Sequence, residues 1–413
     1  MKGEKHQFFY GYVVVGVVFC IMLLAWGIFL SFGVFFQPVL TEFGWTRAAT
    51  SGAYSLAFLV IGPLGIGVGR LIDRFGPRLV MTGCGFFVGL GFLLMSQISA
   101  IWQFYLVYGV IIGIGMSATF VPANSIIPRW FVKRRGLMTG IVLSGNGVGT
   151  IIMPSVARWL ISAYDWRTAY IVVGIIALVL IILAAQFIKR DPSQVGQLPY
   201  GADEVKTESS GLKTRGFSLR EAIRTNQCWL LCAISFCIWL CVGTVMVHIV
   251  IHATGLGISA ASATSILVLI GGVSIAGKAV MGGVADRIGN KSALIISFIV
   301  MSLSFFWLIV AKELWMLYLF GVILGFAYGA LSPLVSPAVA ELFGLSSHGV
   351  IFGITFCGGN IGEAIGPVVA GRIFDVTGSY QWAFLLCAAI SIIGIILSSL
   401  LRPTNRLSPS PTI

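Results

Sequence analysis

One lysine, Lys278, lies in the middle of an apolar segment, eight residues before Asp286. If that segment crosses a bilayer, a charge at its centre costs at least about 2.5–3.5 kcal/mol, so such a residue usually faces a cavity or a partner. Ser274 and Gly282 lie one helical turn away on either side, and neither supplies a counter-ion. An anion that binds and leaves fits this pattern. The alternative is a structural lysine paired with Glu363.

Few other ionisable groups lie within apolar segments. His248 and His252 are one turn apart near the end of such a segment, but no third ligand accompanies them, so we predict no metal site. His252 fits a membrane interface. His248 fits either an interface or a cavity, where it would hydrogen-bond a substrate or titrate near neutral pH. Glu363, the one carboxylate deep in a segment, is interpreted as a proton carrier or as the structural partner of a polar group.

The composition indicates that these residues are held in a membrane. The chain has 413 residues, of which 58% are hydrophobic and 10% are charged, and its mean hydropathy is +0.99. Soluble domains usually carry about 25% charged residues, so a soluble enzyme, a nucleic-acid binder and a disordered scaffold all fit poorly. The segment Gly272–Ala279 is close to a P-loop, but Ala279 lacks the hydroxyl that magnesium requires, so we predict no nucleotide.

Twelve apolar segments are long enough to cross a bilayer as helices. They span approximately 10–36, 49–69, 79–98, 102–127, 137–161, 168–188, 227–252, 262–283, 292–311, 314–340, 349–371 and 381–401. One polar stretch divides them six and six. We therefore predict an N-terminal six-helix bundle over 1–190, a cytoplasmic linker over 191–226, and a C-terminal six-helix bundle with a short cytoplasmic tail over 227–413.

The distribution of lysine and arginine predicts the orientation. With both termini inside, 20 of the 26 basic residues lie on the inner side and 5 on the outer side, and Lys278 is the remaining one. Inner loops of membrane proteins carry such an excess. We predict a multi-pass protein of the cell membrane with both termini in the cytoplasm. The first apolar segment is too long for a cleaved signal peptide.

The two halves of the chain repeat one another. The loop Gly69–Arg78 and the loop Gly282–Lys291 share Gly, Asp, Arg, Gly and a final basic residue, at an offset of 213. The same offset relates the Gly and Pro of Gly149–Pro154 to those of Gly362–Pro367. A parallel duplication of six helices leaves a cleft on its pseudo-two-fold axis, which is typical of transporters.

The repeated loop resembles the signature of the major facilitator superfamily, and the resemblance covers almost the whole chain. It implies an all-α membrane protein with twelve transmembrane helices in two six-helix bundles, the major facilitator fold. It also implies which residues form the cytoplasmic gate and do not bind substrate: Asp73, Arg74, Asp286 and Arg287.

A narrower resemblance concerns three stretches. Ser31–Phe36 and Trp130–Gly140 resemble the monocarboxylate transporter family, and Glu42–Arg47 is similar to its bacterial members and to oxalate:formate antiporters. By this resemblance Lys278 matches a membrane-embedded arginine that binds the substrate carboxylate. From the residues and this resemblance together, the substrate-binding residues are expected to be Lys278, His248, Tyr328, Ser274, Ser117 and Phe356. Those expected to couple transport to protons are Lys278, His248 and Glu363.

We therefore expect a secondary active transporter, not an enzyme. It would move a small monocarboxylate of the lactate or pyruvate class with a proton, by alternating access, and a bacterial member would lie in the cell inner membrane. The alternative is a carboxylate exchanger of the oxalate:formate antiporter kind, which would be expected to need two central cations. The expected partners are a small carboxylate, a proton and the lipid bilayer, without nucleic acid, nucleotide, metal or cofactor.

Overall fold

The computed structural model describes residues 9–120, 126–131, 135–201, 217–344 and 347–402. The side chains of Asp73 and Asp286, among a few others, lie outside this description. Every regular element in the described residues is a helix, apart from a single β-bridge between Phe131 and Tyr200. The predicted all-α class is therefore confirmed.

The long helices are numbered in chain order. In the first half they are α1 (Gly11–Phe43), α2 (Arg47–Phe75), α3 (Pro77–Met95), α4 (Ile101–Met116), α5 (Arg135–Ala163) and α6 (Trp166–Gln186). In the second half they are α7 (Asn226–Gly255), α8 (Ala260–Ile288), α9 (Asn290–Val310), α10 (Leu314–Phe343), α11 (His348–Thr377) and α12 (Gln381–Ser399). Short helical turns cover Ile127–Trp130, Pro192–Val195 and Leu219–Ala222.

These helices account for the twelve predicted segments. Within the described residues eleven are long and apolar enough to cross a membrane, and α4 is a shorter apolar helix. The segment predicted over 102–127 includes positions 121–125, which lie outside the description. α1 extends past the predicted limit of 36, because the helix resumes after a turn at Ser31 and ends only at Gly44, whose φ of 63° is left-handed.

The backbone conformation explains why glycine occurs in both copies of the repeated loop. Gly76 ends α2 with φ 81° and ψ 157°, and Gly289 ends α8 with φ 82° and ψ 154°. This region of backbone space is essentially restricted to glycine. The two positions are related by the same offset of 213, so the repeat in the sequence reproduces one sharp turn between consecutive helices.

The glycines of the second repeated motif allow close helix contacts. A Cβ atom at Gly149 of α5 would collide with the carbonyl oxygen of Leu23 on α1, and one at Gly362 of α11 would collide with that of Phe236 on α7. Leu23 and Phe236 also differ by 213 positions. Small residues at these points let the helix backbones approach closely, which is how helices associate within membranes.

Helix packing follows the same repeat. α1 packs on α5, α2 on α4, and α3 on α6, while α7 packs on α11, α8 on α10, and α9 on α12. The two bundles meet where α2 contacts α11, α5 contacts α8, and α1 contacts α7. The pseudo-two-fold arrangement expected from the duplicated sequence is therefore present.

The helices end at two opposite faces of the molecule. The termini face carries Phe9, residues 187–201 and Leu401, and the far face carries the loops at 44–46, 255–259 and 377–380. On the termini face the first part of the linker docks onto the N-terminal bundle, since the backbone N–H of Tyr200 donates to the carbonyl of Trp130 at 2.9 Å. Its last part docks onto the other bundle, where Phe217 N–H donates to the carbonyl of Phe343 at 2.9 Å.

Candidate functional site

A small central cavity lies between the two bundles, halfway along the spans. Its volume is about 20 Å³, which is room for roughly one water molecule. Its wall is mainly aromatic and apolar, with four polar side chains among the lining residues, which are Trp26, Leu30, Phe58, Phe120, Asn146, Trp239, Val242, Met246, Tyr328, Phe356, Asn360 and Glu363. The structure thus brings together three of the predicted site residues, Tyr328, Phe356 and Glu363.

Lys278 lies behind this wall, on the termini side of the cavity. Its Nζ is 5.8 Å from the centroid of the Tyr328 ring, a cation–π contact. Within the described part of the chain, Lys278 has neither a hydrogen bond nor an ion pair. The pairing with Glu363 that would have made Lys278 a structural residue is therefore not formed.

Glu363 is held by a residue of the opposite bundle. The Tyr54 hydroxyl on α2 lies 3.2 Å from Oε1 of Glu363 on α11. Both side chains are buried, at 1% and 3% exposure. Tyr54 was not identified from the sequence, where the available signal was a hydroxyl-bearing aromatic residue deep within an apolar segment. This hydrogen bond joins the two bundles at the edge of the cavity.

Asn360 provides a free donor in the cavity wall. Its side chain is 4% exposed, and its Nδ2 has no hydrogen-bond partner among the described residues. Leaving a buried amide donor unsatisfied costs about 1–3 kcal/mol, so an acceptor brought by a ligand would be favourable here. The indole of Trp26, by contrast, is already engaged, because its Nε1–H donates to Thr119 Oγ1 at 2.9 Å.

His248 does not line the central cavity. Its ring is fully buried on the far-face side, with Nε2 2.8 Å from the carbonyl oxygen of Pro367 and Nδ1 2.9 Å from the Tyr380 hydroxyl. A carbonyl only accepts, so Nε2 carries the proton and Nδ1 accepts from Tyr380, an assignment made from the hydrogen-bond network. Both ring nitrogens are occupied in this conformation, and the role of His248 in substrate binding stays a prediction.

Ser274 and Ser117 also do not line the cavity. Ser274 Oγ donates to the carbonyl of Gly271 at 2.7 Å, and its own backbone carbonyl packs against Gly329 of α10. Ser117 Oγ donates to the carbonyl of Ile114 at 2.7 Å. Ser117 was selected for its depth in the membrane and Ser274 for its position one turn before Lys278, and both hydroxyls are bonded within their own helix.

The predicted gate residues are described only in part. Arg74 and Arg287 are exposed on the termini face, and the Arg74 guanidinium lies 5.2 Å from the centroid of the Phe75 ring. The side chains of Asp73 and Asp286 lie outside the described residues. The gating role of these four residues stays a prediction.

The far face is closed by a group of contacts between the bundles, which we call the far-face latch: Arg47, Ala48, Asp375 and Tyr380. The Asp375 carboxylate of α11 accepts from the backbone N–H groups of Arg47 and Ala48, both at 3.0 Å, and so caps the first turn of α2 from the other bundle. Arg47 Nη1 donates to the Tyr380 hydroxyl at 2.7 Å. The same hydroxyl binds His248, so the histidine is part of the support for this closure.

Comparisons with known proteins agree with the fold and the repeats. A family profile described as Major Facilitator Superfamily matches residues 17–279 and 231–412. The chain therefore belongs to the major facilitator superfamily of membrane transporters.

Among curated proteins, the chain is 24% identical over 425 residues to monocarboxylate transporter 12 of Mus musculus, covering 96% of this chain and 86% of that protein. It is 27% identical over 391 residues to monocarboxylate transporter 13 of Rattus norvegicus, covering 93% and 87%. The predicted relationship to monocarboxylate transporters is thus confirmed.

Among solved structures, the fold is similar to a bacterial homologue of the human lysosomal transporter Spinster in an inward-facing, unoccupied conformation. The TM-score is 0.74 at 16% sequence identity, and the match covers 96% of this chain and 97% of the other. At this identity the likeness concerns the fold alone.

Proposed function

We propose that the protein is a proton-coupled transporter of a small monocarboxylate of the lactate or pyruvate class, working by alternating access. The observation that carries the proposal is the unpaired cation beside the central cavity: Lys278 contacts Tyr328 in the cavity wall and has no carboxylate partner among the described residues. An organic anion would provide that partner. The named relatives are monocarboxylate transporters, which favours a carboxylate over other anions.

The carboxylate is proposed to bind between two donors. Lys278 supplies a positive charge, and Asn360 Nδ2 supplies a buried N–H that has no acceptor in the described structure. Hydrogen bonds to charged groups contribute about 1.5–3 kcal/mol each, more than those between neutral groups. The apolar part of the substrate would pack on the aromatic wall, where Phe356 and Trp239 provide surface. A cavity of about 20 Å³ has to widen to admit even a small acid.

Proton coupling is proposed to depend on Lys278 and Glu363. Burial disfavours the charged form of an isolated lysine, while a nearby carboxylate favours it. An empty cavity therefore allows Lys278 to release its proton, and an arriving carboxylate restores the charge, so that anion and proton bind together. Glu363 is the second candidate proton carrier, because it is a carboxyl in the cavity wall whose only described hydrogen bond is to the Tyr54 hydroxyl.

Alternating access would require the far-face latch to open while the termini face closes. We propose that the termini face is cytoplasmic, from the excess of lysine and arginine predicted there. We also propose that the motif residues Asp73, Arg74, Asp286 and Arg287 stabilise closure on that face. Opening would break the bond between Tyr54 and Glu363, which spans the bundles, and so would expose the cavity.

Uptake by purified protein in liposomes tests the proposal. Labelled lactate, formate and oxalate are offered with and without a pH gradient that is acidic outside. We expect lactate to accumulate only with the gradient, and Lys278→Gln to abolish saturable uptake. Lys312→Gln, which removes an exposed lysine on the far face, is the matched control and should behave like the wild type.

Two results would contradict the proposal. Uptake by Lys278→Gln with an unchanged KM would remove Lys278 from the binding site. Uptake that needs a carboxylate inside the liposomes, and ignores the pH gradient, would identify an exchanger of the oxalate:formate kind. Glu363→Gln tests which of the two residues carries the proton. If Lys278 alone carries it, this variant should still accumulate lactate.

A further inference from the structure

A second, larger cavity lies between the bundles on the far face. Its volume is about 360 Å³, within the range of about 300–1,000 Å³ that is usual for small-molecule sites. It is lined from both bundles, by residues of α1, α5, α6, α7 and α8. Three helices, α1, α5 and α7, line both cavities and so define their relative position.

The two cavities are stacked one helical turn apart. On α1, Leu30 lines the central cavity and Val34 lines the far one. On α7, Met246 lines the central cavity and Val250 lines the far one. Four residues of helix correspond to about 6 Å. Between the cavities the helices touch, since a Cβ atom at Gly33 would lie 2.6 Å from the carbonyl oxygen of Met246. The far cavity is therefore an antechamber, separated from the central cavity by the α1–α7 contact among others.

The antechamber contains one unpaired cation, Arg158 of α5. Its Nε is buried and has no hydrogen-bond partner, and Arg158 forms no ion pair within the described residues. The one carboxylate in the wall, Glu42, is already neutralised: Arg167 Nη2 lies 2.6 Å from one oxygen, and Trp166 Nε1–H donates to the other at 2.6 Å. An anion in this cavity would meet the free positive charge of Arg158 without meeting a free negative one.

The remaining wall groups leave Arg158 as the main donor. Thr254 and Thr264 each donate their hydroxyl hydrogen to a carbonyl of their own helix, and Gln37 donates from Nε2 to Thr41 Oγ1 at 2.9 Å. Several other lining side chains are apolar: Val34, Pro38, Val250 and Ala260. A ligand with one anionic end and a small apolar body fits this combination.

We propose that the antechamber is a second carboxylate site, which captures the transported monocarboxylate at Arg158 before the central cavity opens. This inference rests on the proposed function for the identity of the anion. A site that concentrates the anion at the entrance raises the association rate at low substrate concentration without changing the central step. The same chemistry would also accept the phosphate of a lipid headgroup, so the experiment has to separate these two sources.

The first experiment measures transport from each face, in liposomes of phosphatidylcholine alone. For Arg158→Gln we expect the KM for uptake from the far face to rise about tenfold, as for loss of one charge-assisted hydrogen bond, with kcat retained. The KM from the termini face should not change. Arg158→Lys should restore part of the affinity, and Arg372→Gln, which removes an exposed arginine elsewhere on the far face, is the matched control.

Three transport results would overturn the antechamber site. They are an unchanged KM in Arg158→Gln, an equal rise from both faces, and a rise that appears only when anionic lipid is added, which would identify a headgroup as the occupant. None of these would affect the central site.

The second experiment measures equilibrium binding of labelled lactate to purified protein. The wild type should bind two molecules, Lys278→Gln and Arg158→Gln one each, and the double variant none. A site that depends on Arg158 in a protein that does not transport lactate would support this inference and contradict the proposed function. A single site that depends only on Lys278 would support the proposed function and contradict the antechamber site. Absence of lactate binding would contradict both proposals.

Discussion

The hydrogen bonds of the far-face latch allow us to predict how much the Asp375 carboxylate contributes to closure of the far face. Asp375→Ala removes two hydrogen bonds of 3.0 Å, to the N–H groups of Arg47 and Ala48. Buried charge-assisted hydrogen bonds contribute about 1.5–3 kcal/mol each, but Asp375 is exposed, and losing a helix N-cap costs typically about 1 kcal/mol. We therefore expect about 1–2 kcal/mol in total, which shifts the open population roughly 5- to 30-fold.

Labelling of one cysteine measures this shift. Ser55 lies one turn after Ser51 on α2, is 5% exposed, and its Oγ has no partner among the described residues, so Ser55→Cys loses no hydrogen bond. In a background without the eight native cysteines, a membrane-impermeant maleimide is added on the far face. Asp375→Ala should raise the rate of labelling roughly 5- to 30-fold, because labelling requires the latch to be open.

A matched control separates latch opening from general loss of helix capping. Asp165 caps α6 within one bundle: its carboxylate accepts from the Thr168 N–H at 2.7 Å and from the Thr168 hydroxyl at 2.9 Å. The backbone N–H of Thr168 lowers the pKa of Asp165, so this cap is fully ionised at neutral pH. Asp165→Ala should reduce stability without changing labelling. Equal labelling rates in the wild type and both variants would refute the latch.

Three further predictions concern coupling, packing and the gate. Lys278→Arg should still bind lactate but lose most accumulation driven by a pH gradient, because a guanidinium stays protonated; accumulation as steep as in the wild type would exclude Lys278 as the proton carrier. Gly329→Val should lower the melting temperature measured in detergent, because its side chain would run into the Ser274 carbonyl, and overpacking usually costs about 1–3 kcal/mol. Asp73→Asn and Asp286→Asn should each increase cysteine labelling from the termini face, and unchanged accessibility in both would contradict their gating role.

The sequence predicted the features that depend on local pattern or on duplication. The apolar spans follow from helix length, and the repeat at 213 positions pairs Gly76 with Gly289 and Gly149 with Gly362, where the structure has matching turns and close contacts. The depth of Lys278 in the membrane could also be predicted from the sequence, because distance along a helix is proportional to residue number. These features require no knowledge of which helices are neighbours.

The sequence did not predict which way the polar side chains face. Ser117 and Ser274 were expected at the substrate, yet the hydroxyl of each donates to a carbonyl of its own helix. The partners of His248, the Pro367 carbonyl and the Tyr380 hydroxyl, are more than a hundred positions away in the chain. Such pairings depend on helix rotation and on contacts between helices, which one sequence without its fold does not specify.

The docking of the linker at both ends has a consequence for assembly. Residues up to Tyr200 are fixed to the first bundle and residues from Phe217 are fixed to the second. The bundles contact each other through α2 and α11, α5 and α8, and α1 and α7, and all of these contacts lie outside the stretch between 201 and 217. Two separate polypeptides, ending at 201 and beginning at 217, should therefore assemble into a working transporter.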